Sequence, residues 1–179
     1  TDEGRQHAER VWIIDPLDGT REYGEGRDDW AVHVALAVGG APRIGAVALP
    51  ARGRLFRSDA GEAPAAPRRA RPLMLVSRTR PPEEAEALAA FLDAELGAMG
   101  SAGAKAMAVV AGEADLYYHA GGQHEWDSCA PAAVALAAGF HASRLDGSPL
   151  GYNRADTLVP DLVVARPELA ERVVAFCQR

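Results

Sequence analysis

The run Val11-Trp12-Ile13-Ile14-Asp15-Pro16-Leu17-Asp18-Gly19-Thr20 joins an apolar, largely β-branched stretch to an acidic loop. Its first four residues read as a buried strand. That strand is expected to stop at Asp15-Pro16, because proline cannot continue a central ladder. Pro16 fixes its own φ and biases Asp15 toward an extended backbone, while Gly19 lets the chain approach a ligand closely. Two carboxylates three residues apart are thereby delivered into one tight loop. If a helix follows at Thr20, its free N–H groups form a landing place for an oxyanion such as phosphate. Two rigid carboxylates beside an anion repel each other and the anion. A hard divalent cation resolves that conflict, and magnesium suits carboxylate, carbonyl and phosphate oxygens. The alternative for any isolated Asp-x-x-Asp is that the two side chains simply cap a turn.

Working outward, Trp30 to Val38 is strand-like and closed by Gly39-Gly40, and Ile44 to Leu49 and Arg54 to Arg57 read as two more strands. Short spacing between consecutive strands predicts an antiparallel meander. Gly61 to Pro72 is rich in Ala, Pro and Arg without a period, and reads as a solvated connection. Beyond it the grammar changes to alternating strands and helices: strand Leu73–Val76, helix Pro82–Leu96 closed by Gly97, helix Gly103–Ala111 and strand Asp115–Tyr118. A helix from Asp127 to Ala138, strands Phe140–Leu145 and Leu162–Ala165, and a terminal helix Pro167–Cys177 complete the pattern. Such alternation predicts an α/β second half.

With 179 residues, 48% of them apolar and 25% charged, the chain has the make-up of a globular protein with one well-filled core and room for two sub-lobes. A net charge of −6 argues against binding a nucleic-acid polymer. The longest nearly apolar stretches fall short of the roughly 20 residues that span a bilayer, so no membrane partner is expected. Cys129 and Cys177 have no Cys-x-x-Cys spacing, which indicates neither a zinc site nor a disulfide scaffold and points to a cytoplasmic address. Residue 1 is Thr rather than Met, so the chain is not a raw translation product.

A third carboxylate has a setting as specific as the first two. Glu125-Trp126-Asp127-Ser128-Cys129-Ala130-Pro131 precedes an Ala-rich helix, for which Asp127 alone would serve as an N-cap. Taken together, Asp-Pro-Leu-Asp-Gly-Thr and Trp-Asp-x-x-Ala-Pro resemble the two signature motifs of the inositol monophosphatase-like family of magnesium-dependent, lithium-sensitive phosphatases. The resemblance runs from about Val11 to the C-terminus. It implies an α/β fold, a layered α-β-α-β-α sandwich whose first helical layer is absent from this sequence. Residues 1–68 would be the rest of an antiparallel lobe and 72–179 an α/β lobe of one phosphatase domain, with the metal site where they meet. A chain beginning at Thr1 is expected to leave an apolar sheet face exposed.

The resemblance also implies roles. Asp15 would bridge two of two or three Mg2+ ions, with the Leu17 carbonyl completing the first site and Asp18 and Asp127 holding the second. Gly19 and Thr20 would present N–H groups to the scissile phosphate, and the Thr20 hydroxyl would orient the attacking water. Thr1-Asp2-Glu3-Gly4 fits the family's upstream acidic loop, making Glu3 the candidate ligand and water activator, although its separation from Asp15 is shorter than usual. An ordinary solvated acid is the alternative there.

Substrate clues follow the glycine. Asp18-Gly19-Thr20-Arg21-Glu22-Tyr23 resembles the nucleotide branch of the family, which hydrolyses 3′-phosphoadenosine 5′-phosphate to AMP as part of sulfur assimilation. Arg21 and Glu22 otherwise read as a surface ion pair. Gly100-Ser101-Ala102-Gly103-Ala104-Lys105 resembles the branch's segment near the second phosphate, which makes Ser101 and Lys105 candidate substrate contacts. Lys105 is the only lysine beside eighteen arginines, which suggests a placed point charge; a solvated helix residue is the other reading. Ser77-Arg78-Thr79-Arg80 resembles a turn near the substrate in related nucleotidases, and the segment Arg144–Leu150 with Tyr152-Asn153 resembles a hairpin of actinobacterial CysQ-type members; both are candidate nucleotide contacts and equally fit turn chemistry. His33 reads as a core or edge residue, and His119 and His124 flank the Trp126-Asp127 motif, where they are candidates for supporting roles behind the site. The expected activity is removal of the 3′-phosphate from 3′-phosphoadenosine 5′-phosphate, extending to 3′-phosphoadenylyl sulfate. Inositol 1-phosphate or fructose 1,6-bisphosphate hydrolysis, and a truncated non-catalytic nucleotide binder, are the competing readings. Dimerisation, common in relatives, has no sequence signature here.

Overall fold

The computed structural model describes residues 3–61 and 69–179, with the backbone alone for Glu3. The expected solvated connection therefore lies largely outside the described residues. Strands β1 (Arg10–Asp18), β2 (Ala31–Val38), β3 (Ala41–Leu49) and β4 (Arg54–Arg57) form the predicted meander in that order. Gly39 and Gly40, at φ 56° and 76°, make the turn between β2 and β3, a conformation that only glycine adopts freely.

The first strand departs from expectation. It does not stop at Asp15 but continues to Asp18, with a register break between Asp15, opposite His33, and Asp18, opposite Ala31. Between those pairs Pro16 and Leu17 on β1 face Val32 alone on β2, so Pro16 sits in a bulge where its missing N–H is tolerated. The short helix α1 (Thr20–Gly24) follows at once.

The second sheet has the order β6-β5-β7-β9-β8, built from β5 (Leu73–Ser77), β6 (Glu95–Met99), β7 (Leu116–His124), β8 (His141–Ser143) and β9 (Leu158–Ala165). Strands β5, β6 and β7 run parallel, and β9 runs antiparallel to β7 and β8. The helix expected over Pro82–Leu96 is shorter, α2 (Ala85–Leu92). Asp93 turns left-handed at φ 53°, and Ala94 N bonds back to the Ala89 carbonyl. Helix-favouring composition continues past that point, but Glu95–Met99 instead pairs as the edge strand β6, where Gly97 leaves room for the Leu73 and Leu75 side chains. Strand β7 is longer than read, reaching His124 through a bulge at Gly121-Gly122, while β8 is shorter and β9 begins earlier, at Leu158. Helices α3 (Ala102–Val110), α4 (Glu125–Ala137) and α5 (Pro167–Cys177) fall close to their expected places.

Helices α3 and α4 lie between the sheets, and α2 and α5 cover the far side of the second one. The described residues thus form β-α-β-α layers with two apolar cores. Tyr117 and Tyr118, adjacent on β7 and both fully buried, point into one core each, as the two-residue period of a strand requires. The outer face of the first sheet leaves Trp12, Ile14, Val34, Ile44 and Leu55 exposed. No helix among the described residues is long and apolar enough to cross a membrane.

Small residues set the spacing between the first sheet and α4. Ala31, Ala35 and Ala37 face inward on β2, and Ala130, Ala132, Ala133 and Ala135 are buried on the helix. At Gly45 a Cβ would stand 2.6 Å from the Ala130 carbonyl oxygen and 2.9 Å from the Ala133 Cβ. Gly45→Ala is therefore expected to destabilise the fold by about 1–3 kcal/mol through overpacking. A urea midpoint no lower than that of the parent chain would contradict this account of the layer spacing.

Candidate active site

Each acid of the two motifs is held by a backbone donor. In the β1 bulge, Asp15 Oδ1 accepts from Leu17 N at 2.9 Å. Asp18 Oδ2 accepts from Gly103 N at 2.7 Å and from the Ser101 hydroxyl. Ser101 caps α3 from φ 28°, and its Oγ accepts from Ala104 N at 3.0 Å. Asp127 is not the N-cap of α4 but its third residue, and its Oδ2 accepts from His124 N at 2.7 Å. The sequence could suggest a cap at Asp127 but could not show that the helix starts two residues earlier.

These anchors converge. One carboxylate oxygen from each of Asp15, Asp18 and Asp127 lies within 4.8 Å of the others. Burial raises the Asp15 carboxyl above its ordinary range, opposed by the Leu17 N–H and reinforced by Asp18. Burial likewise pushes Asp127 up to about 6, opposed by the bond from His124 N, with repulsion from Asp18 and Asp15 adding to it. Three crowded, partly desolvated oxygen donors fit a hard cation. Glu3, the fourth expected acid, has its side chain outside the described residues.

The neighbouring candidates surround a cavity of about 400 Å3 that Asp18, Gly19, Thr20, Ser101, Lys105 and Asp127 all line. Gly19 takes φ 85° as α1 begins, and the exposed Thr20 donates its hydroxyl to the Leu17 carbonyl at 3.3 Å. Lys105 is not a solvated helix residue: it is 4% exposed. Its Nζ donates to the carbonyls of Gly100 at 2.5 Å and Ser101 at 2.8 Å, and stands 5.0 Å from the Tyr117 ring centre. Burial lowers its pKa to about 8 against the opposing pull of Asp18, Glu22, Asp29 and Asp127. A slightly larger cavity beside Arg5, Trp12 and Trp126 contains none of the three clustered acids.

Asp29 and Gln123 have no place in the sequence reading, and the contacts of Glu22 differ from those expected. Glu22 does not form a surface pair with Arg21; it is buried and accepts from Arg78 Nη2 at 3.0 Å. A Cβ on Gly100 would lie 2.2 Å from Glu22 Cγ, so glycine is required there. Burial would raise the Asp29 carboxyl, but bonds from Arg27 and from Gly100 N hold it down at about 2. Gln123, at the end of the β7 bulge, completes the cavity wall together with His119, one of the two histidines that flank the Trp126-Asp127 motif. Only long-range packing identifies these contacts.

The model of the inositol monophosphatase family matches residues 2–178. The chain belongs to the inositol monophosphatase family. Among curated members, it is 56% identical over 180 residues to the 3′-phosphoadenosine 5′-phosphate phosphatase of Mycobacterium tuberculosis, which covers 94% of this chain and 67% of that protein. It is 35% identical over 161 residues to the 3′(2′),5′-bisphosphate nucleotidase CysQ of Escherichia coli, covering 84% and 65% respectively. The crystal structure of CysQ from Bacteroides thetaiotaomicron superposes with a TM-score of 0.80 at 28% identity, over 90% of this chain and 72% of that one. The chain thus spans about two thirds of the length of its curated relatives.

The raised Asp127 carboxyl has a consequence for stability without cations. The folded carboxyl keeps its proton up to about 6, the unfolded one only to 3.8. Between those values the folded state binds more protons, so stability falls as pH rises through that window. In chelator, Asp127→Asn is expected to remove this part of the decline, as read by thermal unfolding from pH 4 to 7. Identical pH profiles for the two proteins would contradict the crowding of the cluster.

Proposed function

We propose that this chain is a magnesium-dependent phosphomonoesterase that removes the 3′-phosphate of 3′-phosphoadenosine 5′-phosphate, leaving AMP and orthophosphate. The observation that carries the reading is the meeting of Asp15, Asp18 and Asp127 at one edge of a polar cavity. The substrate rests on relatives at 54–56% identity that are named 3′-phosphoadenosine 5′-phosphate phosphatases.

Asp15, the Leu17 carbonyl, Asp18 and Asp127 would hold the cations, with Glu3 as a further acidic ligand. When bound, they would acidify a water and stabilise the charge leaving on the ribose oxygen. The protein's own groups supply orientation. Thr20 already commits its hydroxyl proton to Leu17, so toward a water its oxygen acts as an acceptor and turns that water's lone pair to phosphorus. The Gly19 and Thr20 N–H groups would receive the phosphoryl oxygens, placed by the left-handed turn at Gly19. The water oxygen bonds to phosphorus as the bond to the 3′-oxygen breaks; of the water's two protons, one ends on the 3′-oxygen of AMP and the other stays with orthophosphate. Ser101 would act mainly by fixing Asp18. Lys105, with its donors committed to carbonyls, would act on the 5′-phosphate through its field rather than through a direct bond.

Asp127→Asn is expected to lower kcat/KM by on the order of 10²–10³, the scale on which one electrostatic partner of a transition state counts. Phosphate release by this variant at the parent rate would refute the assignment. Lys105→Met is expected to raise KM for 3′-phosphoadenosine 5′-phosphate more than for inositol 1-phosphate. Equal effects, or faster turnover of inositol 1-phosphate or fructose 1,6-bisphosphate by the parent chain, would move the substrate away from nucleotides.

A further inference from the structure

His33 lies on the inward face of β2, fully buried and opposite Asp15 in the strand register. The two nitrogens of its ring face two different walls of the acidic site. Nδ1 is 2.9 Å from the carbonyl oxygen of Trp126, the neighbour of Asp127 at the start of α4. Nε2 is 3.3 Å from Asp18 Oδ2. That second contact is close enough to be ionic yet is not directed as a hydrogen bond, and Nε2 is a buried polar atom with no hydrogen-bond partner among the described residues. A buried nitrogen left in this state is costly and calls for a reason.

The surroundings give one. A Cβ on Gly103 would stand 2.0 Å from His33 Nε2, so the glycine at the second position of α3 is what admits the ring. The same Gly103 donates its N–H to Asp18 Oδ2, beside the Ser101 hydroxyl. Two donors and the imidazole edge therefore crowd one oxygen of Asp18 and leave Oδ1 as the oxygen with lone pairs to spare. The ring spans from the end of β1 to the start of α4, which are the two elements that carry the clustered acids.

We propose that His33 is a positioning residue for the cation cluster: a rigid strut that sets the separation of Asp18 from Asp127 and turns a single oxygen of Asp18 toward the ions. This rests on the cation reading given under Proposed function. Partners behind metal ligands commonly govern affinity by about 10–100-fold, whereas a merely structural core histidine affects stability alone.

Mn2+ binding, followed by calorimetry or by the loss of its free-ion magnetic resonance signal, separates the two. The parent chain is expected to bind Mn2+; if it does not, the cation reading itself fails. His33→Asn keeps an amide near Nδ1 but removes the edge toward Asp18. It is expected to weaken Mn2+ binding about 10–100-fold, and to raise the Mg2+ concentration for half-maximal activity by a similar factor. Substrate KM at saturating Mg2+ should change little. His33→Gln, whose amide nitrogen reaches toward the Nε2 position, is expected to restore much of the affinity. Gly103→Ala crowds Nε2 while keeping histidine at position 33 and should weaken Mn2+ binding in the same direction, which keeps the test open if His33→Asn fails to fold. Parent-like Mn2+ affinity in His33→Asn or Gly103→Ala, with only the melting temperature lowered, would overturn the proposal. So would a Gln variant no better than Asn.

Discussion

The site depends on how closely α4 can lie on the first sheet. Its Asp127 is 109 residues from Asp18 in the chain, and nothing local brings them together. The approach is possible because both surfaces are written in the smallest residues, with Gly45 opposite Ala130 and Ala133 and a row of alanines along β2. Side chains of ordinary size would hold the helix further out and carry Asp127 with it. Dense packing between sheet and helix therefore acts as a gauge for the carboxylate cluster. The first sheet contributes position as much as stability.

Convergence of acids creates an electrostatic difficulty that the surrounding residues partly meet. Asp15 and Asp127 are both held above their ordinary carboxyl range, so the fold brings them together against their own preference. The loop from Gly100 to Ser101 limits the damage. It is tied from one side by Asp29, itself clamped by Arg27, and from the other by Lys105. Glu22 and Arg78 pack beneath its glycine. The result is a rigid rim around an unstable centre, an arrangement expected where a ligand supplies the missing opposite charge.

Much of this is legible in the amino-acid sequence. The meander followed from strand spacing, and the acidic loop and the Trp126-Asp127 motif declared the site through their residue types. What escaped was whatever depends on neighbours distant in sequence. Glu95–Met99 looked like the end of a helix because its composition suits one, and only pairing with β5 makes it a strand. Glu22 looked like half of a surface pair because its partner, Arg78, lies 56 positions away. His33 reads as an ordinary strand residue until Gly103 and Trp126 are seen on either side of it. Periodicity reports which face a residue takes, not what that face meets.

The single lysine shows how residue chemistry and local geometry select each other. Around the start of α3, the carbonyls of Met99, Gly100 and Ser101 all point toward Lys105 Nζ, at 3.5, 2.5 and 2.8 Å. An ammonium group carries three donors in a compact tetrahedral arrangement and can meet three carbonyls converging on a point. A guanidinium presents a planar fork that suits carboxylates and needs more room. In a chain that otherwise uses arginine for every fixed cation, the exception falls where that fork would not fit. Burial weakens the charge, shifting the pKa to about 8, yet four nearby carboxylates oppose the loss. The same ammonium therefore closes the turn that fixes Asp18 and places positive charge under the cavity, so loop geometry and site electrostatics rest on one side chain.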